Sequence, residues 1–143
     1  MRFSLSLMFG ALLATGVSGA TMAVAAEEKT AAEVAITGDA KAGAKVFRKC
    51  AACHNVDEAK NKVGPHLVDI IGREMASVED YKYSKAMVEY ATEVPAWTVE
   101  ALDAYLRDPK GVVKGTKMAF VGLKKDEDLE NVIAYLNDPA AAE

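Results

Sequence analysis

Cysteine is scarce in this chain of 143 residues: there are two, Cys50 and Cys53. One such pair cannot build the disulfide framework of a small secreted scaffold. Long basic blocks are missing as well, and a pI near 5.3 with a formal charge of −4 argues against nucleic acid as a partner. After the N-terminal stretch no run of about 18 apolar residues recurs, so the body of the chain has nothing to span a bilayer. No useful length of strand-like alternation and no internal repeat is visible, and the length is that of one domain.

What is present begins with an address. Arg2 is the only charge before Glu27, Leu5 to Val17 is mostly apolar, and Ala23-Val24-Ala25-Ala26 offers the small residues a signal peptidase reads. A basic start, a short apolar middle and an Ala-rich end predict a secretory signal over 1–26, cleaved near Ala25/Ala26, and therefore a periplasmic protein. An uncleaved anchor is the alternative, weakened by Gly10, Gly16 and Gly19. A flexible leader over 27–37 and a folded domain over 38–143 follow. Charge is uneven along it: residues 41–125 carry fifteen bases and eleven acids, whereas 27–40 carry one base and four acids and 126–143 six acids. A basic middle between acidic ends suits a docking face as readily as an ordinary solvated surface.

The folded part reads as short helices joined by long loops. Asp39 caps a helix running through Ala44 and Phe47 to Cys50; Asn55 to Arg73, with Gly64-Pro65 and Gly72, is mostly loop. Ser84 opens a helix through Met87 and Ala91 that stops before Pro95. Thr98 caps another through Leu102 and Leu106, ended by Asp108-Pro109 because proline cannot continue it. Gly111 to Gly122 is an extended loop. Asp126 caps a last helix with Leu129, Val132, Ile133 and Leu136 at i, i+3, i+4 and i+7, ended by Pro139. Such helices make a poor core by themselves, and loops longer than about 12 residues need a reason.

Cys50-Ala51-Ala52-Cys53-His54 supplies it. CxxCH is the pattern of c-type haem attachment. Two thiols three residues apart on a helical turn each form a thioether to one haem vinyl, and the following histidine lies under the iron. A thioredoxin-like pair would need a βαβ setting. A structural zinc would want a second ligand pair, yet His66 is the only other histidine. A plain exported disulfide would leave His54 and the long loops unexplained. For the iron's other face the candidates are Met75, Met87, Met118, His66 or nothing. Met75 follows His54 too closely to cross the haem easily, and Met87 lies in an amphipathic helix where methionine usually fills core. Met118, inside Gly115-Thr116-Lys117-Met118, would give a loop without a core a reason to be ordered. Methionine opposite histidine raises the reduction potential.

Gly38-Asp39, Gly43, Val46-Phe47, Cys50 to His54, Gly64-Pro65, Leu67, Gly72-Arg73, Tyr81, Tyr83-Ser84, Trp97, Leu102, Tyr105-Leu106, Pro109-Lys110, Gly115 to Met118, Phe120, Gly122 and Ala134-Tyr135-Leu136 occur in order. With them the chain resembles the class I c-type cytochromes, nearest the bacterial cytochrome c-two and mitochondrial cytochrome c group. The resemblance covers roughly Gly38 to Asp138. It implies an all-α class I cytochrome c fold, short helices and long loops wrapped around one covalent haem c, with the first and last helices crossing where Gly43 and Phe47 meet Val132 and Tyr135. It implies further that the Pro65 carbonyl bonds the free nitrogen of His54. Arg73, Tyr83 and Trp97 would meet the propionates, Tyr105 and Thr116 would support the Met118 side, and Phe120 would cover the haem edge. Lys114 departs from the mitochondrial pattern, which has proline there, and the acidic tails depart from its basic pI.

The expected function follows. With His54 and Met118 filling both axial positions, no open site remains for substrate, so the protein is an electron-transfer protein and not an enzyme. It would act as a monomeric periplasmic shuttle with peripheral contact to membrane complexes. Its donor would be a quinol–cytochrome c reductase, and its acceptor a cytochrome c oxidase or a photosynthetic reaction centre. Lys45, Lys49, Lys62, Lys85, Lys110, Lys117, Lys124 and Lys125 could ring the haem edge and steer it to acidic partners. The alternatives are a membrane-tethered carrier with an uncleaved anchor, and a haem enzyme or sensor with a labile sixth ligand.

Overall fold

The computed structural model describes residues 35–142, so the expected signal segment 1–26 and most of the expected leader 27–37 lie outside the described residues. Five α-helices follow in order, α1 Ala40–Phe47, α2 Lys85–Glu93, α3 Val99–Arg107, α4 Pro109–Val112 and α5 Asp126–Asn137, then a 3₁₀ turn over Pro139–Ala142. Among the described residues there is no strand, only an isolated antiparallel bridge between Glu74 and Ala96. No helix among them is long and apolar enough to cross a membrane.

Four of the five helices begin where a short polar side chain can take an orphaned N–H, three of them at the caps expected from the sequence. The Asp39 carboxylate accepts from Ala42 N at 2.8 Å, Ser84 Oγ from Met87 N at 3.0 Å and Thr98 Oγ1 from Ala101 N at 3.2 Å. Two boundaries differ from the sequence expectation. Helix α1 stops at Phe47, before Cys50, because the Phe47 carbonyl accepts from both Cys50 N at 2.7 Å and Ala51 N at 3.0 Å and the ladder breaks into turns. Asp126 is the first helical residue of α5; the cap position is Lys125, with no side-chain cap bond. Asp126, Glu127 and Asp128 stabilise that first turn instead through the helix dipole. One element was not expected. Asp108 closes α3, and its carboxylate accepts from Gly111 N at 3.1 Å to start α4 with Pro109 at the first position, where proline forfeits nothing. The extended loop therefore starts beyond Val112, not at Gly111.

Helices α1 and α5 cross. Glycine at 43 is what lets them: a Cβ there would overlap the Asn131 carbonyl and the Tyr135 side chain. One turn on, the Phe47 and Tyr135 rings pack tilted with centroids 5.3 Å apart. The closest approach at Gly43 falls on Asn131 and Tyr135, beside Val132, which turns into the core that also holds Phe47 and is 1% exposed. Asn131 is the one buried polar side chain among the described residues, and its Oδ1 accepts from Asp39 N at 2.7 Å, tying the start of α1 to α5. Leu129, Val132, Ile133 and Leu136 are all buried, as their helical spacing predicts. Each is worth about 1.5–3 kcal/mol of transfer free energy. Their cluster continues through Leu102 and Tyr105 of α3, Val113, Leu123, Trp97, Met87, Met75 and Ile70.

Candidate functional site

Cys50, Cys53 and His54 lie in the turns that follow α1. Cys53 N and His54 N both donate to the Cys50 carbonyl, at 2.9 and 3.0 Å, so the three side chains leave one compact turn. Both thiols are free; Cys50 is half-buried and Cys53 exposed. Burial pushes the Cys50 thiol above its ordinary pKa. The His54 ring is clasped by the loop that follows. Gly64 N donates to Cys53 O at 2.8 Å, Leu67 N to Asn55 O at 2.7 Å and Lys62 Nζ to Ala51 O at 2.9 Å. Within that clasp His54 Nδ1 donates to the Pro65 carbonyl at 2.7 Å. A carbonyl can only accept, so the bond fixes the proton on Nδ1 and leaves the Nε2 lone pair for a metal. Burial, reinforced by Lys62 and opposed by the Pro65 bond, holds the imidazole below its ordinary pKa, hence neutral. Gly64 lies directly against this ring, and a Cβ there would occupy the space of the imidazole. That role for Gly64 was not read from the sequence, although its adjacency to Pro65 was.

Arg73 and Trp97 are brought together by backbone pairing. Trp97 N donates to Arg73 O at 2.9 Å and Gly72 N to Trp97 O at 2.8 Å. The Arg73 guanidinium donates to Val68 O at 2.7 Å and to His66 O at 2.9 Å, while its Nε is buried with no partner. Burial depresses the Arg73 pKa, with Tyr83 and Asp69 opposing. Burial also raises the Tyr83 hydroxyl pKa; this phenol accepts from Val78 N at 3.4 Å and its ring stands edge-on to Tyr81, centroids 4.8 Å apart. A guanidinium with an unpartnered N–H beside a tyrosine and a tryptophan is a setting that wants an anion.

The third group is joined to the second by the rings of Trp97 and Tyr105, tilted with centroids 5.2 Å apart. Tyr105 Oη and Thr116 Oγ1 are hydrogen-bonded at 2.8 Å, and Thr116 Oγ1 accepts from Met118 N at 3.2 Å. Met118 and Phe120 are half-buried against the core cluster, whereas Met75 and Met87 are buried within it. Of the lysines expected to ring a docking face, several also make local bonds at the surface. Lys117 Nζ donates to Lys82 O at 2.8 Å and Tyr83 O at 3.3 Å, pinning the Met118 loop to the segment before α2. Lys124 Nζ donates to Arg107 O at 2.9 Å, and Lys49 pairs with Asp128 at 3.3 Å.

Two thiols in one turn, an imidazole with a bare Nε2, a thioether on an ordered loop and a half-buried guanidinium whose Nε lacks an acceptor fit an iron porphyrin with its acidic propionates. The fold and these residues define a protein that carries haem covalently. The comparisons are of the same kind. The family pattern of cytochrome c matches residues 40–138. The chain is 58% identical over 103 residues to the cytochrome c-type cyt cy of Rhodobacter capsulatus, a match spanning 71% of this chain and 50% of that protein. It is 49% identical over 96 residues to cytochrome c2 of Afifella marina, spanning 66% of this chain and 77% of that one. Among solved structures, cytochrome cH from Methylobacterium extorquens superposes with a TM-score of 0.63 at 39% identity, covering 69% of this chain and 97% of that chain. The chain belongs to the cytochrome c family. It has the class I all-α cytochrome c fold and binds one haem c through Cys50 and Cys53, and its business is electron transfer.

Proposed function

We propose that the chain is a soluble periplasmic carrier of single electrons, in which His54 and Met118 would hold the haem iron. The observation that carries this reading is the chain of contacts from Trp97 through Tyr105 and Thr116 to Met118. It orders the one methionine among the described residues that stands on a loop and outside the buried core. Haem, when bound, supplies a one-electron ferric–ferrous couple. The protein's own part is to hold the ligands still. Pro65 fixes the tautomer and orientation of His54, and Tyr105 with Thr116 fixes the loop of Met118. Arg73, Tyr83 and Trp97 offer donors and charge to the propionates, and Phe120 shields the haem edge. Ligands that do not move between oxidation states keep reorganisation small.

Export follows from the signal pattern in 1–26. A quinol–cytochrome c reductase would be the donor, with a cytochrome c oxidase or a photosynthetic reaction centre as acceptor. Encounters of this kind bury less than about 1,200 Å² and part quickly. Carbon monoxide tests the ligand reading. A ferrous protein whose sixth position is held by Met118 does not bind it at neutral pH, whereas ready binding would point to an enzyme or a gas sensor.

A further inference from the structure

His54 and His66 are the two histidines of the chain, and the reading above uses only the first. His66 is half-buried at the mouth of a cavity of about 280 Å³ whose lining includes Asn61, Arg73, Glu79 and Asp80. Its position is determined: His66 N donates to Asn61 Oδ1 at 3.0 Å and His66 O accepts from Arg73 Nη2 at 2.9 Å. The ring meets the same guanidinium, with Nδ1 a long 3.4 Å from Arg73 Nη1. Arginine can only donate, so this contact needs Nδ1 unprotonated. A proton on Nδ1 would set two cations face to face and remove the acceptor.

We propose that His66 is a positioning residue for electron transfer that makes the reduction potential depend on pH, acting through Arg73. The proposal rests on the haem reading, in which Arg73 faces the propionates. The bonds of Arg73 to Val68 O and His66 O do not involve the ring, so protonation acts on the long Nδ1 contact and on the charge beside Arg73. The ferrous protein carries one positive charge fewer at the iron than the ferric protein and tolerates a second cation beside Arg73 better. On reduction one electron enters from the donor and a fraction of a proton enters from water at His66; on oxidation both leave. Linkage makes the effect reciprocal: whatever the iron does to the affinity of His66 for its proton, the proton does to the potential.

The groups facing His66 set where this occurs. Arg73 opposes the proton; Glu79 and Asp80 line the same cavity, and Asp69 and Tyr83 act on Arg73 in turn. Burial, with Arg73 added, places the ring below the ordinary histidine value, so the sensitive range lies on the acid side of about 6.5.

The holoprotein allows a test that needs no variant. Proton NMR of the ring hydrogens of His66, the histidine not assigned to iron, is followed between about pH 4.5 and 8 in the ferric and ferrous forms. The titration midpoint should be higher in the ferrous form, and the reduction potential should fall as pH rises through the same range. In His66→Gln the potential should be level there while the visible spectrum is unchanged. Equal midpoints in the two oxidation states, or a slope that persists in His66→Gln, would overturn the proposal; the second result would put the proton on a propionate instead. Failure of the haem reading is distinguishable, since the protein would then lack a Soret band and a measurable potential altogether.

Discussion

Thr116 tests most sharply how the fold holds Met118, the proposed sixth ligand. Its hydroxyl is shared between the Tyr105 phenol at 2.8 Å and the Met118 amide at 3.2 Å. Valine has nearly the same shape and makes neither bond. Each is worth about 1 kcal/mol, so a loop that makes both only while Met118 is in place loses roughly 2 kcal/mol in Thr116→Val. Tyr105→Phe removes one bond and keeps the ring packed on Trp97, so about 1 kcal/mol is lost there. The assay is displacement of the sixth ligand of the ferric protein by imidazole. Since 1.36 kcal/mol is tenfold, imidazole should bind roughly thirtyfold more tightly to Thr116→Val and roughly fivefold more tightly to Tyr105→Phe. The double variant should resemble Thr116→Val, because the two changes remove a shared bond. Equal affinity in all four proteins would show that these hydroxyls do not restrain the Met118 loop.

Three further outcomes are expected. In Gly64→Ala the new methyl displaces the His54 ring from the Pro65 carbonyl, which should lower stability by roughly 2–3 kcal/mol in denaturant titrations; a midpoint within error of the parent would contradict the clasp. Burial depresses the His54 pKa in the folded chain, so below the ordinary imidazole value near 6.5 the unfolded chain holds more protons. Stability is then greatest above that value and is lost as pH falls, and a denaturation midpoint that rises on acidification would have the wrong sign. Cys50→Ser with Cys53→Ser, exported without attached haem, should be largely unfolded by circular dichroism, because cofactor binding stabilises only the native state; native-like helical content would refute this.

The caps at Asp39, Ser84 and Thr98 were legible because each puts an acceptor just before a helical apolar pattern, and the structure uses all three. Asp126 was misread for a definite reason. Three acids in a row suit either a cap or a first turn, and only the backbone angles separate the two. The short α4 was hidden because proline after Asp108 reads as a stop, although the same pair also reads as a start. In the site, the residues the sequence offers to the haem, Cys50, Cys53, His54 and Met118, lie in short local motifs and were visible. The contacts that hold them are distant in sequence: Lys117 to Lys82, Lys62 to Ala51, Arg73 to His66 and Val68. Lysine and arginine stems are long enough to reach carbonyls that no spacing rule foretells, so some of the lysines also pin loops. The part Asn131 plays in the α1–α5 crossing was hidden for a similar reason: the approach at Gly43 is set by the Asn131 carbonyl, and side-chain periodicity says nothing of a carbonyl.

The central claim, that His54 and Met118 together hold the iron of an electron carrier, is tested most directly by the ferric spectrum and reduction potential of Met118→Ala beside those of Met87→Ala. Met118→Ala should turn high-spin or take up another ligand and lose potential, while Met87→Ala, altered only in the core, keeps the parent's spectrum. An unchanged spectrum and potential in Met118→Ala would contradict the account.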